Sequence, residues 1–274
     1  RITTGGGVPL VTFGYNMNEI YFDQYPSFAE LWGVAIRQLC PESAFTEELL
    51  TLLRSKGLNE KSSIADVAAG DGFPALSMRE KGFTIDCFDL SDDQIKSFKR
   101  NARKRKVSSL ITQSDWLHVK DKVEKSYDCI MCTGNSFIYA AGGWNSKEYN
   151  KDHPLTLYRQ TLGIFYELLL PGGILIIDKF KDSERSHEVI VCRVKVKDHS
   201  YDLTFSIRTD VDKKERYASI TLDDGIKSRE TLPNLTYALS EKELSALCHQ
   251  AGFSGFEKIT FKSNKLFDTY IIRK

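Results

Sequence analysis

Two aspartates and two glycines are the first residues here whose spacing suggests chemistry. Asp66-Val67-Ala68-Ala69-Gly70-Asp71-Gly72 closes one apolar, strand-like run, and Asp89 ends the next, 19 positions after Gly70. A strand, a glycine turn, a helix and a second strand tipped by a carboxylate make up the half-unit that binds nucleosides. Glycine lets the backbone approach a ligand, and free amides at the following helix start can hold an anion. Asp89 stands where a carboxylate can accept hydrogen bonds from both ribose hydroxyls. Asp66 lies within the strand end, where a dinucleotide needs no acid but a ligand carrying an ammonium group benefits from one. Asp115-Trp116 follows the next short strand. Its acid can accept from an adenine amino group, and its indole can cover the ring face. Thr133-Gly134-Asn135-Ser136-Phe137 ends a further strand, on the carboxyl edge where ligands of open α/β sheets bind.

The surrounding pattern predicts the elements that carry these residues. From Asn18 to about Leu58 the periodicity is helical, with Ala29, Leu31, Trp32, Ala35, Ile36 and Leu39 on one face. Strands are expected at Ile64–Ala69, Thr84–Leu90, Ser108–Gln113, Tyr127–Thr133 and Ile174–Asp178. Helices fill Pro74–Lys81, Ser91–Lys106 and Thr156–Leu170 between them. That alternation argues for a parallel sheet with helices on both faces. After Asp182 the texture changes to alternating, half-exposed strands over Val189–Val196, Tyr201–Thr209 and Arg216–Leu222. Ser240 and Glu243 form a capping box for a helix that stops at Gly252, and a closing hairpin pairs Phe256–Lys262 with Phe267–Arg273. The expected organisation is an N-terminal arm and helical lid over 1–58 and a cofactor-binding core over 59–182. Inserted antiparallel strands over 183–236 would cap the substrate, and 237–274 would complete the core sheet.

Composition narrows the class. The chain has 274 residues, 41% hydrophobic and 27% charged, with a net charge of +1, which makes no case for a nucleic-acid or membrane partner. The cationic run Lys99–Lys106 reads as a solvated helix end beside the C-terminal dipole. No apolar run approaches the roughly 20 residues of a membrane span. The chain begins at Arg1, no leader is visible, and a reducing, cytoplasmic setting is expected from six scattered cysteines. Cys129 and Cys132 form a lone pair without a second pair or a nearby histidine, so no metal is expected.

Taken in order, Asp66-Val-Ala-Ala-Gly-Asp-Gly, Asp89-Leu-Ser-Asp, Ser114-Asp115-Trp116, Gly134-Asn135-Ser136-Phe137 and Leu170-Pro-Gly-Gly-Ile-Leu-Ile-Ile-Asp178 resemble the class I S-adenosylmethionine-dependent methyltransferases. Among these they are most similar to the glycine and glycine/sarcosine N-methyltransferase group, over roughly residues 60–182. The resemblance implies a Rossmann-like α/β fold: a seven-stranded, mostly parallel sheet with antiparallel terminal strands, an N-terminal helical lid and an inserted antiparallel segment. It implies S-adenosylmethionine as cofactor, S-adenosylhomocysteine as product, and a small-molecule acceptor. Ala68, Gly70, Asp71 and Gly72 would approach the methionine part. Asp89 would take the ribose hydroxyls, Leu90 would flank adenine, and Asp115 with Trp116 would hold it. Thr133 and Asn135 would sit beside the sulfonium and the acceptor, while Tyr21, Tyr25 and Trp32 would form part of a lid. Tyr21 and Asn135 are the polar groups assigned to catalysis.

The acceptor is less defined. The group places an arginine just after the strand-ending Asp to grip a substrate carboxylate, whereas this chain reads Asp178-Lys179-Phe180-Lys181-Asp182. Lys179 offers a point charge without the flat two-point contact of a guanidinium, and Arg185, Arg193 or Arg208 could replace it from the inserted strands. Tyr139, Trp144 and Tyr149, in the long segment after the fourth strand, could cage a methylated ammonium. Methylation of another small metabolite at O, S or a heterocyclic nitrogen is the rival within the class, and RNA methylation a more distant one. A nicotinamide dehydrogenase on the same fold lacks a His/Asp or Tyr/Lys pair. A non-catalytic cofactor-binding relative and self-association into a homo-oligomer both stay open.

Overall fold

The structure, a computed structural model, describes residues 19–142, 150–182, 186–226 and 228–274. Its first half alternates strands and helices. β1 (Glu19–Phe22) precedes α1 (Phe28–Leu39) and α2 (Glu42–Ser55), then come β2 (Ile64–Asp66), α3 (Ala75–Glu80), β3 (Ile85–Asp89), α4 (Asp92–Arg105), β4 (Thr112–Gln113) and β5 (Tyr127–Cys132). After a 3-10 helix (Ser136–Ala141) follow α5 (Pro154–Leu168), β6 (Leu169–Phe180), β7 (Ser186–Val196), β8 (His199–Asp210), β9 (Glu215–Asp223), β10 (Ser228–Tyr237), α6 (Glu241–Gln250), β11 (Gly255–Ile259) and β12 (Phe267–Arg273). No described helix is long and apolar enough to cross a membrane.

The strands form two sheets. The larger has the order β11-β12-β6-β5-β2-β3-β4, with β6 to β4 parallel and β12 antiparallel to both β6 and β11. This is the seven-stranded Rossmann-like arrangement expected, antiparallel strands at one end included. Alternation of side chains puts Ile174, Ile176, Cys129 and Met131 in one apolar layer and Leu175, Ile177, Ile130 and Cys132 in the other. The two cysteines of the lone pair therefore project to opposite faces, are buried and free, and cannot share a metal. Layers on both faces explain why these parallel strands are continuously apolar rather than alternating.

The smaller sheet, ordered β1-β7-β8-β9-β10, is the cap. It overturns the helical reading of the N-terminal segment. Glu19–Phe22 is a strand, paired in parallel with β7 so that Tyr21 lies opposite Lys195. The helix starts only at Phe28, behind a capping box in which Ser27 accepts from the Glu30 amide and Glu30 accepts from the Ser27 amide. Tyr21 and Tyr25 thus precede the lid helix. Ser240 and Glu243 form the capping box expected of α6. The strand expected at Ser108–Gln113 shrinks to the two residues of β4.

α1 is seated on the glycine turn by ion pairs. Arg37 donates to both Asp71 carboxylate oxygens, at 2.6 and 3.1 Å, and to Glu42 at 2.7 Å. Glu42 also accepts from Ser77 on α3 and Arg105 on α4. One carboxylate thereby joins its own helix, α2, to three others in a half-buried network, where such pairs are worth more than on an open surface. The helix passes so near that a Cβ on Gly33 would stand 2.3 Å from Asp71 Oδ2. In a helix interior Gly→Ala normally stabilises by about 1 kcal/mol. Here overpacking, costing about 1–3 kcal/mol, outweighs that gain. Gly33→Ala is expected to lower the unfolding free energy in urea denaturation, and a rise would show that Asp71 yields without cost.

Candidate active site

A cavity of about 230 Å³ opens at the carboxyl ends of β2, β3 and β5, small-molecule in scale. Asp89 sits at its centre. Its Oδ2 accepts the Gly70 amide and its Oδ1 the Ser91 amide, both at 2.8 Å. Burial nevertheless raises its pKa, the two amides opposing that rise. Each oxygen keeps a second lone pair, which suits a pair of vicinal hydroxyls. Gly70 holds φ +53°, and a Cβ there would find no atom nearer than 3.7 Å. Its backbone conformation, not space, favours glycine. Gly72 is different: it lies outside the wall, and a Cβ would stand 2.3 Å from Leu76 Cδ1, so it serves helix packing.

Ala68, Asp71 and Leu90 line the cavity as the sequence suggested, Asp71 with its carboxylate turned to Arg37. Trp116 lines it too, its indole pinned by a 2.6 Å hydrogen bond from Nε1 to the Val67 carbonyl and by edge contact with Phe165. Asp115 is in the wall, yet its carboxylate already accepts from the His118 amide and faces the His118 ring at 2.8 Å. Thr133 and Tyr139 also line it, as do Trp32 and Ile36, one turn apart on α1.

Asp66 ends β2, just before the glycine turn, and is fully buried. Its Oδ1 accepts the Ala68 amide at 3.1 Å, while its Oδ2 has no partner among the described residues. Burial, with the Asp89 charge adding to it, pushes its pKa up to about 7. Asp178, at the end of β6, is also pushed up to about 7 by burial, although the Gly134 and Asn135 amides both donate to it.

Other expected site residues stand elsewhere. Asn135 is buried outside the wall; its Oδ1 accepts the Phe180 amide at 3.1 Å, so it clamps the β5 turn to β6. Tyr21 is 68% exposed on the cap's edge strand, where its hydroxyl donates to Glu19 and Lys195 stands over its ring. Tyr25 packs edge-on against Tyr201 of the cap. Neither tyrosine lines the cavity: Tyr21 is held in β1 of the smaller sheet, and Tyr25, in the link after it, packs on Tyr201 of β8. Lys179, 1% exposed, donates to Asp182 and to the Phe180 carbonyl, and burial lowers its pKa. Arg193 pairs with Asp202 on the cap surface, and Arg208 lies exposed on the face opposite the buried Leu203, Phe205 and Ile207. Trp144, Tyr149 and Arg185 fall outside the described residues.

Three residues escaped the sequence reading. Gln94 and Thr161 are buried in the cavity wall. Arg216, 3% exposed, comes from β9; its Nε donates to Thr209 and its guanidinium stands 5.6 Å from the centre of the Phe180 ring. A signal for it existed: Arg216 shares its alternation with the buried Ile220 and Leu222.

No family model matches the chain. Among known proteins it is 26% identical over 242 residues to a glycine/sarcosine N-methyltransferase of Aphanothece halophytica, covering 85% of this chain and 81% of the relative. It is 32% identical over 143 residues to the Halorhodospira halochloris enzyme of the same name, covering 52% of this chain but under half, 45%, of the relative. Glycine N-methyltransferase of Rattus norvegicus is 29% identical over 204 residues, with coverages of 69% and 64%. In fold, the chain matches an S-adenosylmethionine-dependent methyltransferase from Clostridium acetobutylicum at TM-score 0.65 and 14% identity, covering 90% of this chain and 97% of the other. A sugar N-methyltransferase from Streptoalloteichus matches at 0.62 and 15% identity, with coverages of 96% and 99%. The chain thus resembles the glycine/sarcosine group in sequence and the class I methyltransferases in fold. These relatives and fold neighbours are named as methyltransferases, the Clostridium acetobutylicum protein as S-adenosylmethionine-dependent.

The unpartnered acid has a measurable signature. Folded Asp66 keeps its proton up to about pH 7, whereas its ordinary value is 3.8. Between those values the folded state binds more protons, so this group's contribution to stability falls as pH rises. Asp66→Asn should be near neutral below about pH 3.8 and increasingly stabilising relative to the parent as pH rises to about 7, with no further gain above it. Paired denaturant titrations check this; a difference independent of pH would remove the buried, ionising carboxyl from the account.

Proposed function

We propose that the protein is an S-adenosylmethionine-dependent N-methyltransferase whose acceptor is a small amine of the glycine or sarcosine kind. The observation that carries this reading is the convergence of Asp89, the Gly70 turn and Trp116 on one cavity, with the buried Asp66 at the strand end that leads into the lining residues Val67 and Ala68. The residues fit the cofactor's chemistry: paired acceptor sites for ribose, an indole wall for a base, and acidic surroundings for a ligand that carries ammonium and sulfonium charge. When bound, the cofactor supplies an activated methyl group, so the hard chemistry is its own.

The chain's part is positioning. Asp89, Asp66 and the Gly70 turn fix one end of the ligand, and Trp32 and Ile36 exclude water. Orientation of this kind is worth up to roughly 7–11 kcal/mol in well-aligned cases. Among the described wall residues there is no His or Lys to serve as a strong general base. That favours an amine, which can lose its proton before binding, over a hydroxyl that needs a base. Arg216 is buried where β6 meets the cap, and there its guanidinium offers positive charge to an acceptor carboxylate, whereas the Lys179 charge is taken up by Asp182.

Isothermal titration with S-adenosylhomocysteine, followed by methyl-transfer assays across amino acids, generic amines, hydroxyl and thiol acceptors, tests the reading. Transfer to oxygen or sulfur acceptors alone would overturn the amine assignment. Asp89→Ala should weaken S-adenosylhomocysteine binding by about 1–3 kcal/mol through lost charged hydrogen bonds; full affinity would remove the ribose assignment. Arg216→Met should raise KM for acceptors bearing a carboxylate far more than for neutral amines. An equal effect on both would detach Arg216 from acceptor recognition.

A further inference from the structure

Gln94 lies in the first turn of α4, 4% exposed, and its Oε1 has no hydrogen-bond partner among the described residues. The side chain lines the cavity beside Gly70, where a Cβ would stand 3.7 Å from that oxygen. Helix capping does not explain the amide, because Ser91 Oγ is met by the Gln94 backbone N–H. Buried amide oxygens are almost always completed by a donor, and each exception in a cavity wall points toward what enters it. The neighbouring donors are already committed: the Gly70 and Ser91 amides are given to Asp89, and the Ala68 amide to Asp66. A ligand entering the cavity can supply the missing donor.

We propose that Gln94 is a further cofactor-binding residue whose amide oxygen accepts a hydrogen bond from an N–H or O–H of the bound cofactor. The assignment rests on the methyltransferase reading of this cavity. Three groups of S-adenosylhomocysteine carry such hydrogens, the α-ammonium, the ribose hydroxyls and the adenine amino group.

The test is calorimetric titration of the full chain and its Gln94→Met variant with S-adenosylhomocysteine and with 5′-methylthioadenosine, which has the ribose and base but lacks the amino-acid arm. Methionine keeps the length of the side chain and removes the acceptor. The expected result is an affinity for S-adenosylhomocysteine about tenfold lower, together with an unliganded melting temperature that is unchanged or higher, since an unmatched polar group has gone. A residue that only supports the helix would lower both. Loss with both ligands places the donor on the nucleoside, a ribose hydroxyl or the adenine amino group; loss with S-adenosylhomocysteine alone identifies the ammonium. Gln94→Leu serves as a second variant with the same expectation. Unchanged affinity for both ligands, or a parallel fall in affinity and melting temperature, overturns the proposal. A parent chain that binds neither ligand instead overturns the cofactor reading on which it rests.

Discussion

The hydrogen bond from the Gly70 amide to Asp89 is the contact on which the site depends. It ties the turn after β2 to the tip of β3, so two neighbouring strands end in one rigid edge. A second amide, from Ser91, holds the other carboxylate oxygen and starts α4 at the same point. With both oxygens oriented by backbone, the carboxylate needs little further ordering when a ligand arrives, and preorganisation of this kind is where much of a small-molecule site's affinity originates. Its cost is electrostatic, because burial works against the charge that the ligand requires.

That cost is spread over several acids. Asp71 is neutralised by Arg37, Asp115 faces His118, and Asp66 alone keeps an oxygen without a protein partner. A cavity walled this way is poorly suited to an anion at its strand-end side and well suited to a cation. The same balance explains why Arg37 is not spare positive charge: it is committed to holding α1 against the turn.

The core was legible in the sequence because its signals are local. The glycine turn, the strand-ending acids and the alternation of apolar strands with helices all appear within a few residues, and the seven-stranded sheet follows from them. What was not legible depends on distant partners. Four residues, Glu19–Phe22, gave too short a signal to separate from the helix behind them, and the strand they join lies far along the chain. Asn135 was singled out correctly as unusual, but its amide partner on Phe180 could not be seen, so a clamp was taken for a reacting group. Lys179 was noticed for its charge, while the Asp182 contact that absorbs it becomes visible only once β6 turns into the cap. Arg216 illustrates the opposite error, a cation overlooked because strand arginines are ordinarily solvated.

The strand pairing of β1 with β7 has a mechanical meaning. Only Asp23 to Ser27 separate that strand from α1, which bears the cavity residues Trp32 and Ile36. Fully stretched, such a leash reaches no more than about 18 Å. The α1 residues that line the cavity are therefore tethered to the smaller sheet, so neither can move far without the other.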